Sequence, residues 1–275
     1  MLSILFPNIN PIIFEIGVFT IKWYGLAYVL AIAICLYFIG KFSIAKKNFL
    51  QLTKNHLDSL SIYSIVGIIL GGRVGYVIFY RPYWFITRPL MVLNTMEGGM
   101  SFHGALIGLM IALFFFCRHH KMPFFYITDL ISTIAPIGLF FGRIANFING
   151  ELYGRITDVS WGVIFPNTDG IPRHPSQLYE AGAEGVILLI LMLFCFFKTN
   201  LSEQYGRLSG VFLICYSIAR MSIEEFREPD LHIGHFMLRL FGDNLIKITT
   251  GQALTIPMLI CGLILIWKRK NVWNL

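Results

Sequence analysis

Charge is what this sequence has least of. Asp, Glu, Lys and Arg together make up 13% of its 275 residues, about half the ~25% usual in soluble domains. Hydrophobic residues reach 56% and the mean hydropathy is +0.68. A chain of this length has no core large enough to hide that much apolar surface from water, so the surrounding solvent is expected to be lipid. Paired cysteines are missing too. Cys35, Cys117, Cys195, Cys215 and Cys261 each lie in or at the end of an apolar run, and no CxxC or CxxxC pair occurs. That excludes a disulfide framework or a cysteine metal site and leaves five small buried hydrophobes. No positive segment precedes the first apolar run, because the first Lys is Lys22. The first helix is therefore expected to stay in place rather than be cleaved as a signal. Internal repeats, low-complexity stretches and nucleotide or metal motifs are absent, and no cofactor is expected. The net charge of +7 would suit nucleic acid in a soluble protein. Here the Lys and Arg fall mostly between apolar runs, where they act as topology signals, and no nucleic-acid partner is expected.

What is present are long apolar segments. A membrane span needs about 20 mostly apolar residues, and seven candidates satisfy or approach this: Ile16–Gly40, Leu57–Tyr80, Met100–Cys117, Ile127–Ile148, Gln177–Phe197, Leu208–Phe226 and Ala253–Trp267. The expected fold is an all-α integral membrane protein, one polytopic domain over residues 1–275, with seven transmembrane helices and a small cap. With strict alternation and the Lys41–Asn55 linker inside, the inner segments hold Lys41, Lys46, Lys47, Lys54, Arg118, Lys121, Lys198, Arg207, Lys268, Arg269 and Lys270. The outer segments hold Arg81, Arg88, Arg155, Arg173, Arg227, Arg239 and Lys247. Excess basic residues mark the cytoplasmic side, which places the N-terminus outside and the C-terminus inside. Residues 81–99, 149–176 and 227–252 then form the outer head. Within it, Trp161–Phe165 reads as a short strand and His235–Phe241 as a short amphipathic helix.

Several spans carry groups that lipid does not tolerate. They are Lys22 and Tyr24 in the first, Arg73 in the second, His103 at the mouth of the third, Arg143 to Glu151 at the end of the fourth, and Tyr216, Arg220 and Glu224 in the sixth. A buried Arg near a span centre costs about 2.5–3.5 kcal/mol on the insertion scale. Each such residue must meet a partner, a wet cavity or the interface. Lys22 reads as snorkelling to the interface. Arg73, flanked by glycines, reads equally as helix packing or as chemistry. Arg143, Asn146 and Gly150 recur at i, i+3 and i+7 and share a face, as do Tyr216, Arg220 and Glu224 at successive i+4 steps. Two arginines in one pocket suit a phosphate, which a guanidinium grips with two parallel bonds. They are expected to meet His103, which is either a base working near neutral pH or a satisfied helix-end residue. A lipid transporter and an intramembrane hydrolase are the competing readings. Hydropathy shows no inverted repeat for the first, and the second lacks a GxSxG elbow.

The run Gly142-Arg143-Ile144-Ala145-Asn146-Phe147-Ile148-Asn149-Gly150-Glu151-Leu152-Tyr153-Gly154 resembles the signature of bacterial prolipoprotein diacylglyceryl transferases. Companion blocks resemble the family in the same order: Lys22-Trp23-Tyr24-Gly25, Gly71-Gly72-Arg73, Gly98 to Gly104, His174-Pro175-Ser176-Gln177-Leu178-Tyr179-Glu180 and Glu225 to Asp230. Ala105 departs from relatives that carry a second glycine there. The resemblance implies a seven-helix enzyme of the bacterial inner membrane with a periplasmic head. It also implies transfer of a diacylglyceryl group from phosphatidylglycerol to the lipobox cysteine of a preprolipoprotein signal peptide, with membrane lipid around it and glycerol phosphate released. On that reading His103, Arg143 and Arg220 are the catalytic candidates. Arg143, Asn146, Glu151, Gly154, Tyr24, Tyr216, Glu224 and Arg220 are the substrate-binding candidates.

Overall fold

The computed structural model describes residues 4–7, 9–16, 19–46, 50–94, 99–166, 168–228, 235–239 and 245–267. The chain is mostly helical. Its principal helices are α1 (Trp23–Ser43), α2 (Lys54–Tyr80), the single turn α3 (Trp84–Thr87), α4 (Phe102–His120), α5 (Phe124–Ile148), α6 (Ser176–Glu180), α7 (Leu188–Lys198), α8 (Arg207–Ile223) and α9 (Thr250–Trp267). A wider π-type segment, Ala181–Ile187, fuses α6 and α7 into one span. Among the described residues five helices are long and apolar enough to cross a membrane: Trp23–Ser43, Lys54–Tyr80, His103–His120, Phe124–Ile148 and Ser176–Lys198.

Short strands accompany the helices. β1 (Ile4–Leu5) pairs in parallel with β4 (Val163–Ile164), so the strand expected within Trp161–Phe165 forms. β2 (Ile12–Ile16) and β3 (Phe19–Lys22) make an antiparallel hairpin. That hairpin moves the start of the first span from Ile16 to Trp23. The amphipathic helix expected at His235–Phe241 is not there. His235–Arg239 is strand β5, paired antiparallel with β6 (Leu245–Thr249). Five residues make little more than one helical turn, and a turn that short does not survive without support. The β-branched run Ile246-Lys247-Ile248-Thr249 offers a ladder instead.

Contacts divide the chain into two units, Met1–Cys35 with Ile131–Lys270, and Leu36–Leu130 with Asn271–Leu275. In the second unit α2 and α4 pack along a stripe of glycines. A side chain on Gly71 would collide with the Gly104 carbonyl, and one on Gly75 would meet the Gly104 Cα at 2.6 Å. Only hydrogen fits, and in lipid such close backbone contact takes the place of hydrophobic burial as the adhesive. Thr53 caps α2 by accepting from the His56 backbone N–H, and Ser101 caps α4 by accepting from that of Gly104. Arg73, 1% exposed, donates to the carbonyls of Met91 (2.8 Å), Val92 (3.2 Å) and Gly99 (3.2 Å). Its guanidinium also lies over the rings of Tyr76 and Trp84. Of the two sequence readings of Arg73, the packing one describes these contacts: the residue satisfies carbonyls of the segment that follows α3.

In the first unit α8 packs against α9 and α7. The α9 N-terminus is fixed by a reciprocal cap in which Thr249 Oγ1 accepts from the Gln252 N–H and Gln252 Oε1 accepts from the Thr249 N–H. The segment after α5 folds through backbone bridges. Gly154 pairs with Arg227, and Arg173 pairs with both Ile156 and Val163. Phe6, Phe147 and Phe165 close an aromatic cluster beneath it, with ring centroids 5.4–6.0 Å apart.

Candidate functional site

The first unit gathers six charged side chains in one network, four of them buried. Glu180, at the end of α6, has no exposed side-chain surface, and neither has Glu184 one turn on. Arg143 from α5 reaches both, with Nε 2.8 Å from Glu180 Oε2 and Nη2 donating to Glu184 Oε2 at 3.1 Å. Arg220 from α8 places Nη1 2.8 Å from Glu224 Oε2 and 3.4 Å from Glu180 Oε1. Arg227 donates from Nη1 to Glu180 Oε1 at 2.5 Å, with Nε 3.7 Å from Glu224 Oε2. Thr249 Oγ1, already the α9 cap, donates to Glu224 Oε1 at 2.7 Å. The cap and the ion network thus share one hydroxyl.

Three guanidinium groups and three carboxylates cancel in charge. Removing one partner of a buried pair costs about 3–5 kcal/mol, because the remaining charge stays in low dielectric. The network therefore stands or falls as a set. Its helical frame explains the spacing. Arg220 and Glu224 are one turn apart across the end of α8. The wide turn at Ala181–Ile187 leaves Glu180 and Glu184 both facing Arg143, a backbone form often found at functional sites. Among the described residues, Arg143 Nη1 and Arg220 Nε and Nη2 carry no hydrogen bond, so donor edges remain. Arg143 and Arg220 keep 18% and 13% of their side chains exposed. Tyr216, buried on α8 and stacked on Phe212, lies within electrostatic reach of Arg143, Arg220 and Glu184.

A second set of contacts surrounds Glu151. The chain leaves α5 through two left-handed residues, Gly150 (φ +65°) and Leu152 (φ +58°). The second is strained for a side chain with a Cβ. Glu151 sits between them. Its Oε1 accepts from Asn146 Nδ2 at 2.9 Å and from Asn149 Nδ2 at 3.2 Å, while its backbone carbonyl accepts from the fully buried Gln177 at 2.6 Å. Gly154 follows. A Cβ there would collide with the Phe226 carbonyl and with His174. Tyr24, on the first turn of α1, shares a hydroxyl contact of 3.1 Å with Tyr28 and lies within electrostatic reach of Glu151 and Arg143. His174, just before α6, has Nδ1 3.1 Å from the Tyr179 hydroxyl, which accepts from Trp161 Nε1 at 2.8 Å. Burial pushes the His174 imidazole below its ordinary pKa.

The structure thus brings Arg143, Arg220 and Glu224 to one network, and Asn146 and Glu151 into direct contact. His103 belongs to the other unit, exposed on the first turn of α4. Sequence reading missed three members: Glu180, Glu184 and Arg227. The available signal was a pair of acids four residues apart in an apolar span, where an unpaired carboxylate has no place.

Apolar spans with a buried ion network inside one unit define the class: a multi-pass helical membrane protein that keeps charge in its interior. Sequence comparison gives the family. The family model described as prolipoprotein diacylglyceryl transferase matches residues 11–268, and the chain belongs to that family. Among its relatives are phosphatidylglycerol–prolipoprotein diacylglyceryl transferases of three organisms. That of Rickettsia felis is 50% identical over 261 residues, 95% of this chain and 97% of the relative. That of Rickettsia bellii is 50% identical over 265 residues, 96% and 97% of the two chains. That of Rickettsia typhi is 49% identical over 267 residues, 97% and 99%.

Proposed function

We propose that the ion network is the lipid-phosphate site of the reaction for which the family is named. The chain is a transferase that moves the diacylglyceryl group of phosphatidylglycerol to a prolipoprotein. The acceptor is the thiol of the lipobox cysteine. The observation that supports this most is the convergence of Arg143 and Arg220, from α5 and α8, on one fully buried carboxylate with donor edges left over.

The thiolate attacks the glycerol carbon that bears the phosphate. The C–O bond breaks, a thioether forms, and the electron pair leaves on glycerol phosphate. Two demands follow. A free thiol, with a pKa near 8.5, must lose its proton, and charge growing on the phosphate must meet fixed donors. Arg143 and Arg220 serve the second demand. His103 serves the first as base and returns the proton to the departing phosphate. Asn146 and Glu151 orient the headgroup glycerol, Tyr24 and Tyr216 hydrogen-bond lipid or its neighbours, and Gly154 keeps the backbone close.

The protein lies in the bacterial inner membrane, with its N-terminus periplasmic and its C-terminus cytoplasmic. Residues 81–99, 149–176 and 227–252 belong to the periplasmic head. The α8 and α9 helices complete seven spans. At 17 and 18 residues they are about 26–27 Å long, a few Å short of the ~30 Å hydrocarbon layer, and local thinning absorbs the difference.

The test uses purified protein in phosphatidylglycerol vesicles with a lipobox peptide, and mass spectrometry of the product. Thioether formation is expected, with none in phosphatidylethanolamine vesicles. Transfer that proceeds without phosphatidylglycerol overturns the reading. His103→Ala is expected to lose about 10²–10⁴-fold in kcat. A loss confined to the KM for peptide would make His103 a positioning residue instead.

A further inference from the structure

We infer that Glu180 is a positioning residue that sets the edges of Arg143 and Arg220 for the lipid phosphate, an inference that rests on the phosphate reading above. Glu180 accepts from, or pairs with, three arginines on three separate stretches of chain: Arg143 on α5, Arg220 on α8 and Arg227 after it. No other carboxylate among the described residues has three arginine partners.

The geometry divides each guanidinium into a held edge and an open one. Glu180 takes Nε of Arg143 through Oε2, and Glu184 takes Nη2, leaving Nη1. Glu180 Oε1 and Glu224 Oε2 share Nη1 of Arg220, leaving Nε and Nη2. A guanidinium is a flat fork, so fixing one edge fixes the direction of the others. Glu180 touches both forks with its two oxygens, and it alone links the Arg143 pair to the Arg220 pair. It also receives Arg227, whose backbone bridges Gly154 and whose carbonyl accepts from Arg155 Nε at 2.8 Å. The same carboxylate therefore ties the first turn of the head to both arginines. Its full burial means that it meets no substrate. It acts through the arginines.

Removing the Glu180 charge leaves the network one unit positive. Charge alone would then tighten binding of an anionic lipid. Positioning demands the opposite, because displaced forks no longer meet the phosphate oxygens, and a shift of about 1 Å costs about a hundredfold in rate.

Glu180→Asp keeps the charge and withdraws it by one methylene, whereas Glu180→Gln keeps the length and removes the charge. Both are compared with wild type by KM for phosphatidylglycerol, KM for peptide and kcat, in protein that remains monodisperse in detergent. Expected in both variants is a rise of about tenfold or more in the KM for phosphatidylglycerol together with a fall in kcat, while the KM for peptide holds. A wild-type Glu180→Asp overturns the inference. So does a Glu180→Gln with tighter lipid binding and retained kcat, or a loss of active protein with all KM values unchanged. If wild-type protein itself makes no phosphatidylglycerol-dependent thioether, the underlying function has failed, and the two failures are thereby told apart. Should Glu180→Gln not fold, Glu180→Asp decides alone.

Discussion

Arg143 Nε lies 2.8 Å from Glu180 Oε2, linking the C-terminal part of α5 to an acid 37 positions later. Every member of the ion network is within two contacts of this pair. A change at any one of them is therefore felt at the others, and single substitutions here are not expected to add.

Arg143→Lys keeps one positive charge and loses the planar fork. An ammonium cannot hold Glu180 and Glu184 along one edge and still present a second edge outward. Transfer to a lipobox peptide is expected to fall by about a hundredfold, beyond what a lowered thermal midpoint explains, because one fully buried carboxylate also loses its partner. Near wild-type rates would remove Arg143 from the phosphate site.

Gly154→Ala should damage both fold and activity. Its Cβ would enter the space of the Phe226 carbonyl and His174, where the Gly154 backbone bridges Arg227. Overpacking of this kind costs about 1–3 kcal/mol. A lower thermal midpoint is expected, with a loss of transfer beyond that explained by the unfolded fraction. An unchanged midpoint would show that the head yields at this point.

Arg73→Lys is expected to destabilise the second unit without touching the transfer chemistry. The carbonyls of Met91, Val92 and Gly99 take donors from one flat guanidinium, and a single ammonium does not span all three. Each buried acceptor left bare costs about 1–3 kcal/mol. Thermal unfolding should shift downward by several degrees, while the KM for phosphatidylglycerol at low temperature stays at its wild-type value. A raised KM would give Arg73 a role in the site.

The segment around His174 should loosen in acid. Burial lowers the His174 pKa below its ordinary value near 6.5, with Asp158 opposing in the smaller measure. The folded segment then prefers neutral imidazole, and the unfolded chain binds more protons. The stabilisation is complete above pH ~6.5 and is lost as pH falls through that value toward the lowered one. Protection factors of residues 153–179 against hydrogen exchange, corrected for the intrinsic rate at each pH, should fall between pH 7 and pH 5. His174→Gln should flatten that dependence, and an unchanged pH profile in this variant would exclude the imidazole.

Much of this was legible in sequence because lipid enforces it. A span must be apolar and long, so α1, α2, α4 and α5 declare themselves by composition alone. Charges inside such spans are costly, so Arg143, Arg220 and Glu224 stand out with no structure in hand. The sequence pattern misled where strand pairing decides the local structure. At His235–Arg239 the pattern suits an amphipathic helix as well as a strand, and pairing with Leu245–Thr249, ten residues on, decides it. At Phe19–Lys22 an apolar run reads as span, but hairpin pairing with Ile12–Ile16 claims it.

Arg73 and Glu180 mark the line between what sequence determined and what tertiary structure decided. By itself the sequence set the membrane class, the family and the presence of buried charge, because apolar length and local motifs follow the chain. It left the partners of those charges open. Arg73 turns to carbonyls 18 to 26 residues away, and Glu180 gathers arginines 37, 40 and 47 residues away. Coulombic pairing depends on distance in space, and only the packing of helices brings those groups within it.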